Sequence, residues 1–536
     1  MANDWANLGR DLHLVLDPRR KTDSLEAALR DMIRDGRLVR GVRLPASRGL
    51  AVDLGIARNS VAEVYERLVG EGWLESRVGA GTWVASTARI VDRRTSSRDV
   101  ESGRRVEAER GARAHARGGS VQRSTRTRDG RSGADAADEA GSVGVAPDPT
   151  FDLRAGIPDT TLFPREAWTA ALRRAFLVAP ASELGYGHPH GLPELREALT
   201  SYLGRARGVV VEPSRVHVTH GAGHAMRLIA MALVARGARR VAVEEYGHEV
   251  HRDILAASGL EVVPVPVDDS GAVVDGLGDG GRVADCVDAV LLTPAHQFPT
   301  GVALSPARRA AVAAWAERTG ALIIEDDYDG EFRFDRRAVG ALQSLAPDHV
   351  AFIGTASKAL GPGIGLGWCV LPGGFVTAVA DQRRLDGARP GALTQLALAE
   401  FLEHGDYDRS VRSARARYRD RRRRVEHLVE ERMPAARVTG MAAGLQCLLE
   451  LPDGIREEHV SREADAVGLA LAGLRTFRAP GAARAIGEAR RAPRHPAMVV
   501  GFGAPAPHRF DETLGLAFTA IERARDGAAD APNSRN

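Results

Sequence analysis

The chain has 536 residues, with 73 lysines and arginines against 70 aspartates and glutamates, and 44% of its residues are hydrophobic. This length predicts about three or four structural units, and the composition is that of a soluble protein with a sizeable core. The net charge of +3 does not indicate a membrane-surface protein, and no apolar run is long enough to span a membrane. Three widely spaced cysteines do not suit a disulfide framework, and we expect no secretory signal. We therefore expect a cytoplasmic protein without a membrane partner.

The composition divides the chain into zones. Residues 1–86 show regular apolar periodicity, and residues 151–525 alternate apolar strand-like runs with helix-length segments. Residues 87–150 contain few aliphatic residues and no Phe, Trp or Tyr. Such a segment cannot bury enough surface to offset its chain entropy, so we predict a long disordered linker there. We predict a disordered tail over residues 526–536.

The first zone has the pattern of three helices and a hairpin. Apolar residues between Leu25 and Ile33 follow helical spacing, a second helix is expected to begin with Ser47 as its N-cap, and a third begins near Arg58. Two β-prone runs in residues 73–85 flank a glycine-bearing turn. This order predicts an α+β winged helix-turn-helix head that binds double-stranded DNA.

A small three-helix interaction module is the alternative for this zone. Five arginines and one acidic residue in residues 37–60 favour a phosphate-facing surface instead. The run RLPASRGLAVDLGIARNSVAEVYERLVGEGWLESRVGAGTWVA resembles the GntR-type bacterial repressor head. The resemblance implies operator contacts by Arg48, Arg58, Asn59 and Ser60 from the helices and by Arg77 and Gly79 from the wing.

The third zone predicts an α/β layer with a mainly parallel sheet, in which ligands bind at the carboxyl ends of the strands. The predicted strands span residues 216–219, 241–244, 260–267, 290–293, 321–326 and 350–354.

Three of these strand ends carry candidate chemistry. The first is followed by a glycine-containing turn and a helix, which suits a phosphate, although many strand–helix turns contain glycine. The second ends in the acidic run 325–327, for which solvated loop acids are the alternative. The third ends just before Lys358, one of only two lysines in the chain. A lysine in a chain that otherwise uses arginine is a candidate for chemistry that needs an amine, and its retention by chance is the alternative. An amine, an acid and a phosphate cradle together fit pyridoxal 5′-phosphate. We assign no metal site.

The segments LGYGHPHGLPELREALTSYL, TPAHQFPTG, IIEDDYDGEFRF and GTASKAL resemble an α/β fold-type-I aminotransferase domain that depends on pyridoxal 5′-phosphate. Joined to the head, this domain resembles the MocR-type regulators of the GntR superfamily. The resemblance implies that Lys358 is the Schiff-base lysine, that Asp326 pairs with the pyridine nitrogen and that Tyr328 contacts the phenolic oxygen. It also implies phosphate contacts by Thr355, Ser357 and the turn Gly221, Ala222 and Gly223, a ring-stacking role for His248, and a contact by Tyr186 from the neighbouring subunit of a homodimer.

The sequence departs from the family pattern at the phosphate. The usual run P-G-L-R-L-G reads P-G-I-G-L-G here, so Gly365 stands where an arginine binds the phosphate. The usual S-G-A-Q-Q-A reads H-G-A-G-H-A, and His220 or His224 could compensate. The run AMVVGFGA lacks the arginine with which aminotransferases bind a substrate carboxylate. Catalytic transamination is therefore doubtful, at most a residual half-reaction.

We favour a DNA-binding regulator that uses pyridoxal 5′-phosphate, or its adduct with an amino acid or amine co-effector, as effector. One alternative is a working aminotransferase with a fused DNA-binding head. A second is a regulator that has lost the cofactor. The arginine-dense segment 409–432 is expected to form a solvent-facing helix between subdomains, with direct DNA contact as the alternative.

Overall fold

The computed structural model describes residues 21–34, 38, 42–77, 81–85, 149–277, 287–334, 340–482 and 495–529. The head comprises α1 (Lys21–Arg34), α2 (Ser47–Leu54), α3 (Arg58–Gly70), β1 (Leu74–Arg77) and β2 (Gly81–Val84). Apolar residues at helical spacing bury one face of each long helix, including Leu25, Leu29, Ile33, Val61, Val64 and Leu68. The strands pair antiparallel, with Leu74 opposite Val84. The predicted winged helix-turn-helix is confirmed.

Two details of the head differ from, or lie beyond, the prediction. Ser47 is the first residue of α2 rather than its cap, because the Leu50 N–H donates to the Ala46 carbonyl at 3.1 Å. The tip of the hairpin, residues 78–80, lies outside the described residues. Lys21, the first residue of α1, is exposed.

Within the described residues, the second domain contains a seven-stranded sheet, a four-stranded sheet and two two-stranded sheets. Its elements up to the long helix α11 are β3 (Phe151–Asp152), α4 (Arg165–Val178), α5 (Pro193–Arg207), β4 (Val216–Thr219), α6 (Ala222–Ala235), β5 (Arg240–Glu244), α7 (Glu249–Ala257), β6 (Glu261–Val265), β7 (Val267–Asp268), β8 (Gly271–Ala272), β9 (Ala289–Leu292), α8 (Pro306–Thr319), β10 (Leu322–Asp326), β11 (Val350–Thr355), β12 (Gly367–Val370), α9 (Gly373–Asp386), α10 (Ala392–Glu403) and α11 (Asp406–Arg432). The remaining elements are β13 (Arg437–Thr439), β14 (Gln446–Glu450), α12 (Glu457–Asp465), β15 (Leu469–Ala470), β16 (Ala472–Gly473), β17 (Ala497–Gly501) and α13 (Phe510–Ala529).

The main sheet has the strand order β4-β12-β11-β10-β9-β5-β6. Strand β12 runs antiparallel to both of its neighbours, while the pairs from β11 to β6 are parallel. Nearly every residue of these strands is buried, as expected for a sheet with helices on both faces. The six predicted strands are confirmed, and β12 was not predicted. A second, antiparallel sheet has the order β13-β14-β17-β16.

The arginine-dense segment 409–432 lies in the long helix α11, whose exposed face agrees with the expected solvent-facing helix. One face is buried and includes Arg421 and Arg422. The Arg421 guanidinium donates to the Phe502 carbonyl at 2.8 Å and to the Asp159 carboxylate at 3.0 Å. These bonds satisfy a buried cation, which an apolar-periodicity argument cannot anticipate.

The predicted domain boundaries are only partly covered. Of the predicted linker 87–150, only the last two residues are described. Helix α13 continues to Ala529, so the predicted tail 526–536 begins inside a helix, consistent with the high helix propensity of its alanines. Within the described ranges, no helix is long and apolar enough to cross a membrane.

Candidate cofactor site and DNA-facing surface

Lys358 lies in the turn that follows β11. Its Nζ donates to the Gly156 carbonyl oxygen at 2.5 Å. Burial lowers the pKa of the Lys358 amine, while Asp329 and Asp326 act in the opposite direction. A lower pKa increases the fraction of neutral amine, which is the nucleophilic form.

Asp326 ends β10 and faces the same site. Its side chain is 1% exposed, and neither carboxylate oxygen has a hydrogen-bond partner among the described residues. His251 Nδ1 lies 3.4 Å from Oδ2 of this carboxylate. Burial and the neighbouring Asp327 raise the pKa of Asp326 to about 7, against the effect of Lys358. A buried carboxylate without a hydrogen bond is costly, so this position fits a ligand that brings an N–H donor.

Tyr328 is held by residues from distant parts of the chain. Its hydroxyl accepts a hydrogen bond from Gln446 Nε2 at 2.8 Å and lies 3.1 Å from His296 Nδ1. The same His296 nitrogen lies 2.8 Å from the Asp329 carboxylate. Burial raises the pKa of Tyr328 well above its usual range, so the phenol is neutral. Sequence reasoning missed His296 and Gln446, and Gln446 has no local signal because it lies on the second sheet.

His248 forms one wall of the site. It precedes α7, and its ring stacks on Phe298 with 3.8 Å between centroids and 10° between planes. His251 lies one helical turn further on, 5.3 Å away between ring centroids. Burial lowers the pKa of His248 to about 3 and that of His251 to about 4, so both rings are neutral. Sequence reasoning missed His251, although its spacing of three residues from His248 was a usable signal.

The predicted phosphate turn has close backbone packing. Gly221 has φ +125° and immediately precedes α6, and a Cβ at Gly367 would lie only 2.7 Å from its Cα. The N–H groups of Ala222 and Gly223 open the helix, where an anion is favoured. On the strand side, Thr355 Oγ1 donates to Ser357 Oγ at 2.8 Å. The two predicted phosphate-binding runs therefore follow the carboxyl ends of β4 and β11, the strands on either side of β12.

At the predicted phosphate site, the sequence departs from the family pattern at His220, His224 and Gly365, and these positions differ in the space and charge that they provide. His224 pairs with Asp386, with 3.0 Å between Nε2 and Oδ2, and its ring stacks against His220. Burial lowers the pKa of His224, although Asp386 opposes this change. Gly365 has φ +64°, and no atom lies within 4 Å of a Cβ placed there. This position has open space but a backbone that side chains adopt at a cost.

Tyr186, predicted to reach the neighbouring subunit's site, lies on the surface of the protomer. Its side chain is 95% exposed, and Arg389 donates to its carbonyl oxygen at 2.5 Å. It lies in the loop after a run of exposed apolar side chains, namely Phe176, Leu177, Val178 and Leu184.

Strand β17 contains most of the run AMVVGFGA, which by the family resemblance lacks the carboxylate-binding arginine. A Cβ at Gly501 would lie 2.1 Å from the Arg154 carbonyl oxygen, and one at Gly503 would lie 2.0 Å from that of Ile157. These two positions therefore have no room for a side chain.

The residues of the head that are predicted to contact DNA from the helices reach the surface. Arg48, Arg58 and Asn59 are exposed, and Ser60 is half-buried. Arg77 ends β1, with its side chain outside the described set, and Gly79 lies outside the described residues.

Two family models match the chain. Residues 149–484 match aminotransferase class I and II, and residues 21–84 match the gntR family of bacterial regulatory proteins.

Curated relatives share both parts. The chain is 31% identical to the HTH-type pyridoxine biosynthesis transcriptional regulator PdxR of Corynebacterium glutamicum, over 82% of this chain and 86% of the relative. It is also 31% identical to the probable rhizopine catabolism regulatory protein MocR of Rhizobium meliloti, over 82% and 84% of the two chains.

Solved structures resemble the second domain in fold. The kynurenine aminotransferase of Pyrococcus horikoshii aligns with a TM-score of 0.60 and 23% identity, over 70% of this chain and 91% of that one. A multiple substrate aminotransferase from Thermococcus profundus aligns with a TM-score of 0.61 and 22% identity, over 72% and 94%.

The cofactor of this aminotransferase family is pyridoxal 5′-phosphate, and the residues present fit it. The buried Asp326 carboxylate lacks a hydrogen-bond partner where an N–H donor would satisfy it, and the Lys358 amine is close enough to influence its pKa. Gly221 immediately precedes the helix N-terminus that suits a phosphate, and no atom lies within 4 Å of a Cβ placed there. With a gntR-type head in front of this domain, the chain belongs to the MocR-type transcriptional regulators.

Proposed function

We propose that the chain is a cytoplasmic, homodimeric regulator that binds an operator and uses pyridoxal 5′-phosphate, or its adduct with an amine or amino acid, as effector. The observation that carries this proposal is the buried Asp326 carboxylate without a hydrogen-bond partner, in a domain that also buries Lys358. The same chain carries a head whose Arg48 and Arg58 face solvent.

Each site residue has a distinct task in this proposal. When bound, pyridoxal 5′-phosphate supplies an aldehyde open to attack by an amine and a ring that withdraws electrons. Lys358 offers an amine whose pKa is lowered by burial, held at the Gly156 carbonyl. Asp326 would accept a hydrogen bond from the N–H of the cofactor ring. Tyr328 would offer a neutral phenol to the phenolic oxygen of the cofactor. The flat, neutral ring of His248 covers the site and limits access of water.

Strand β17 favours sensing over transamination. The close backbone contacts at Gly501 and Gly503 leave no space for the carboxylate-binding arginine at these positions. A substrate carboxylate would lose a charge-assisted bidentate contact there. We therefore propose at most a residual half-reaction with amines.

The exposed apolar run supports a homodimer. Phe176, Leu177 and Val178 are 59%, 71% and 74% exposed, and Leu184 follows in the next loop. Contiguous exposed apolar side chains mark interaction surfaces. A partner on this surface would cover the residues that precede Tyr186 and would bring that tyrosine to the neighbouring site.

Absorption spectroscopy tests the cofactor part of the proposal. The purified chain should develop the visible band of protein-bound pyridoxal 5′-phosphate, and Lys358→Arg should lose it because a guanidinium cannot replace the amine as nucleophile. Lys21→Arg, at the other lysine, is the matched control and should keep the band. A Lys358→Arg variant with an unchanged band would refute the lysine assignment.

A further inference from the structure

A carboxylate of the head is buried against the aminotransferase domain. Glu71 directly follows α3 and is 2% exposed. Its oxygens accept hydrogen bonds from Arg30 of α1, at 3.0 Å from Nε and at 2.6 and 2.7 Å from Nη2. The backbone of Gly340, in the second domain, packs closely against the Glu71 side chain, since a Cβ added at Gly340 would lie 2.7 Å from Glu71 Cδ. The head therefore inserts one charged side chain into the contact between the two domains.

Apolar packing surrounds this charge. A Cβ at Gly72 would lie 3.5 Å from Leu345 Cδ1. Leu342 and Leu345 share one buried cluster with Leu68 and Trp73 of the head. The segment 340–345 is thus the docking loop on which the head rests.

Arg309 of α8 reaches the same loop from inside the second domain. It is fully buried, its Nη2 donates to the Gly340 carbonyl at 2.5 Å, and its Nε and Nη1 have no hydrogen-bond partner among the described residues. Burial lowers the pKa of Arg309, and the charges that oppose this change most are Glu325 and then Glu71. Glu71 and Arg309 therefore both lie at the Gly340 backbone, where their opposite charges attract each other.

The docking loop is held by the strand that ends in Asp326. Glu325, the residue before it, is fully buried and accepts hydrogen bonds from the N–H groups of Leu342 and Gln343 at 2.7 and 2.8 Å. Successive residues of a strand point to opposite faces of the sheet. One strand end therefore holds Asp326 at the cofactor site on one face and the docking loop on the other.

Docking leaves the DNA-facing surface open. Arg48, Arg58 and Asn59 are exposed in the docked head. The contact therefore orients the head without covering the N-terminal end of α3.

We propose that Glu71 is the positioning residue through which the state of the cofactor site controls the orientation of the DNA-binding head, by way of Asp326, Glu325 and the docking loop. This inference rests on the proposed function. Coupling between two sites in proteins typically changes an affinity by about 5–150-fold. We expect the effector to change the DNA affinity of the full chain by about tenfold.

The test compares the full-length chain with Glu71→Gln and a control, Glu63→Gln. Glutamine keeps the shape of Glu71 but removes its charge. Glu63 lies on α3 and pairs with Arg67 of the same helix, at 2.7 Å. Its substitution removes a carboxylate from the head but keeps the bonds between Glu71 and Arg30. The probe is a duplex selected by the wild-type chain from a random pool, and its affinity is measured with and without saturating pyridoxal 5′-phosphate.

The wild type and Glu63→Gln should show the effector-dependent change in affinity. Glu71→Gln should keep the visible cofactor band but lose most of the change, to less than about twofold against the roughly tenfold coupling expected of the wild type. Hydrogen exchange supplies a readout of docking itself. Amides of the docking loop should exchange faster in Glu71→Gln, while those of α1 stay protected because the head remains folded.

A second variant approaches the contact from the other domain. Gly340→Ala places a methyl group where Glu71 lies and leaves the head unchanged, so it should uncouple the sites if Glu71→Gln fails to fold. Unchanged coupling in a folded Glu71→Gln or Gly340→Ala chain overturns the inference. A wild-type chain that binds both ligands without mutual effect also overturns it, whereas failure to bind either ligand contradicts the proposed function instead.

Discussion

Asp326 shows how a binding residue can reduce the stability of the protein that carries it. Its carboxyl is buried without a hydrogen bond, and burial raises its pKa to about 7. The folded protein therefore binds a proton there more tightly than the unfolded chain, whose carboxyl has an ordinary pKa near 4. Folded stability must fall as the pH rises between about 4 and about 7.

Asp326→Asn should stabilise the cofactor-free protein above this range and weaken its cofactor binding. The amide removes a buried charge, so the Tm should rise at about pH 8, where the difference in unfolding free energy is on the order of 4 kcal/mol. At about pH 4 the carboxyl is protonated in the folded state, and the two proteins should differ little. Thermal unfolding of both proteins at the two pH values measures this. An equal difference at both values would contradict the buried-charge explanation.

Two substitutions at Gly365 can distinguish the cost of backbone strain from the effect of a missing positive charge at the phosphate. The φ of +64° at Gly365 means that any side chain there costs about 1–2 kcal/mol, while a charge-assisted contact with a phosphate contributes about 1.5–3 kcal/mol. Gly365→Arg and Gly365→Gln share the strain but differ in charge. We expect the arginine variant to bind pyridoxal 5′-phosphate about tenfold more tightly than the glutamine variant. Equal affinities in a spectroscopic titration would show that the phosphate is neutralised elsewhere.

At the scale of elements, β10 and α3 show what the sequence could predict. Both depend on local patterns: an apolar run before an acidic cluster for β10, and helical spacing of Val61, Val64 and Leu68 for α3. The structure places β10 at Leu322–Asp326, within the predicted run 321–326.

Contacts between distant segments could not be predicted in this way. Gln446 reaches Tyr328 across 118 residues, and Arg421 is buried because it satisfies carbonyls 81 residues away. Neither partner leaves a periodic signal in the sequence, since each contact depends on how complete elements pack. The docking of Glu71 on Gly340 belongs to the same class.

Helix α3 should carry most of the operator recognition. Arg58→Ala and Arg48→Ala should each cost about 1–3 kcal/mol of operator binding and leave the cofactor spectrum unchanged. Each lost phosphate contact should also reduce the salt dependence of binding by about one counterion. Arg423→Ala, at an exposed position of α11, tests the alternative DNA surface and should have no effect. Weaker binding in Arg423→Ala alone would place the duplex on α11.

At the scale of the whole molecule, the exposed apolar run links assembly to cofactor binding. Leu177→Asp should disrupt a dimer that covers this run, because dimerisation would then bury an unpaired charge. Cofactor affinity should fall with dimerisation, since the partner's Tyr186 would no longer complete the site. Sedimentation analysis and spectroscopic titration of the same samples measure both effects. A monomeric variant with full cofactor affinity would exclude a shared site.

The near absence of lysine makes this molecule selective toward amine-directed reagents. Apart from the terminal amino group, its amines are Lys21, exposed on the first helix of the head, and Lys358, enclosed in the second domain. A succinimidyl dye should therefore label the head and leave the outer surface of the second domain unlabelled. Acetylation and other modifications of lysine side chains are likewise restricted to Lys21 and Lys358. The exposed lysine is thus a ready attachment point for an optical reporter of head movement, and no engineered cysteine is needed.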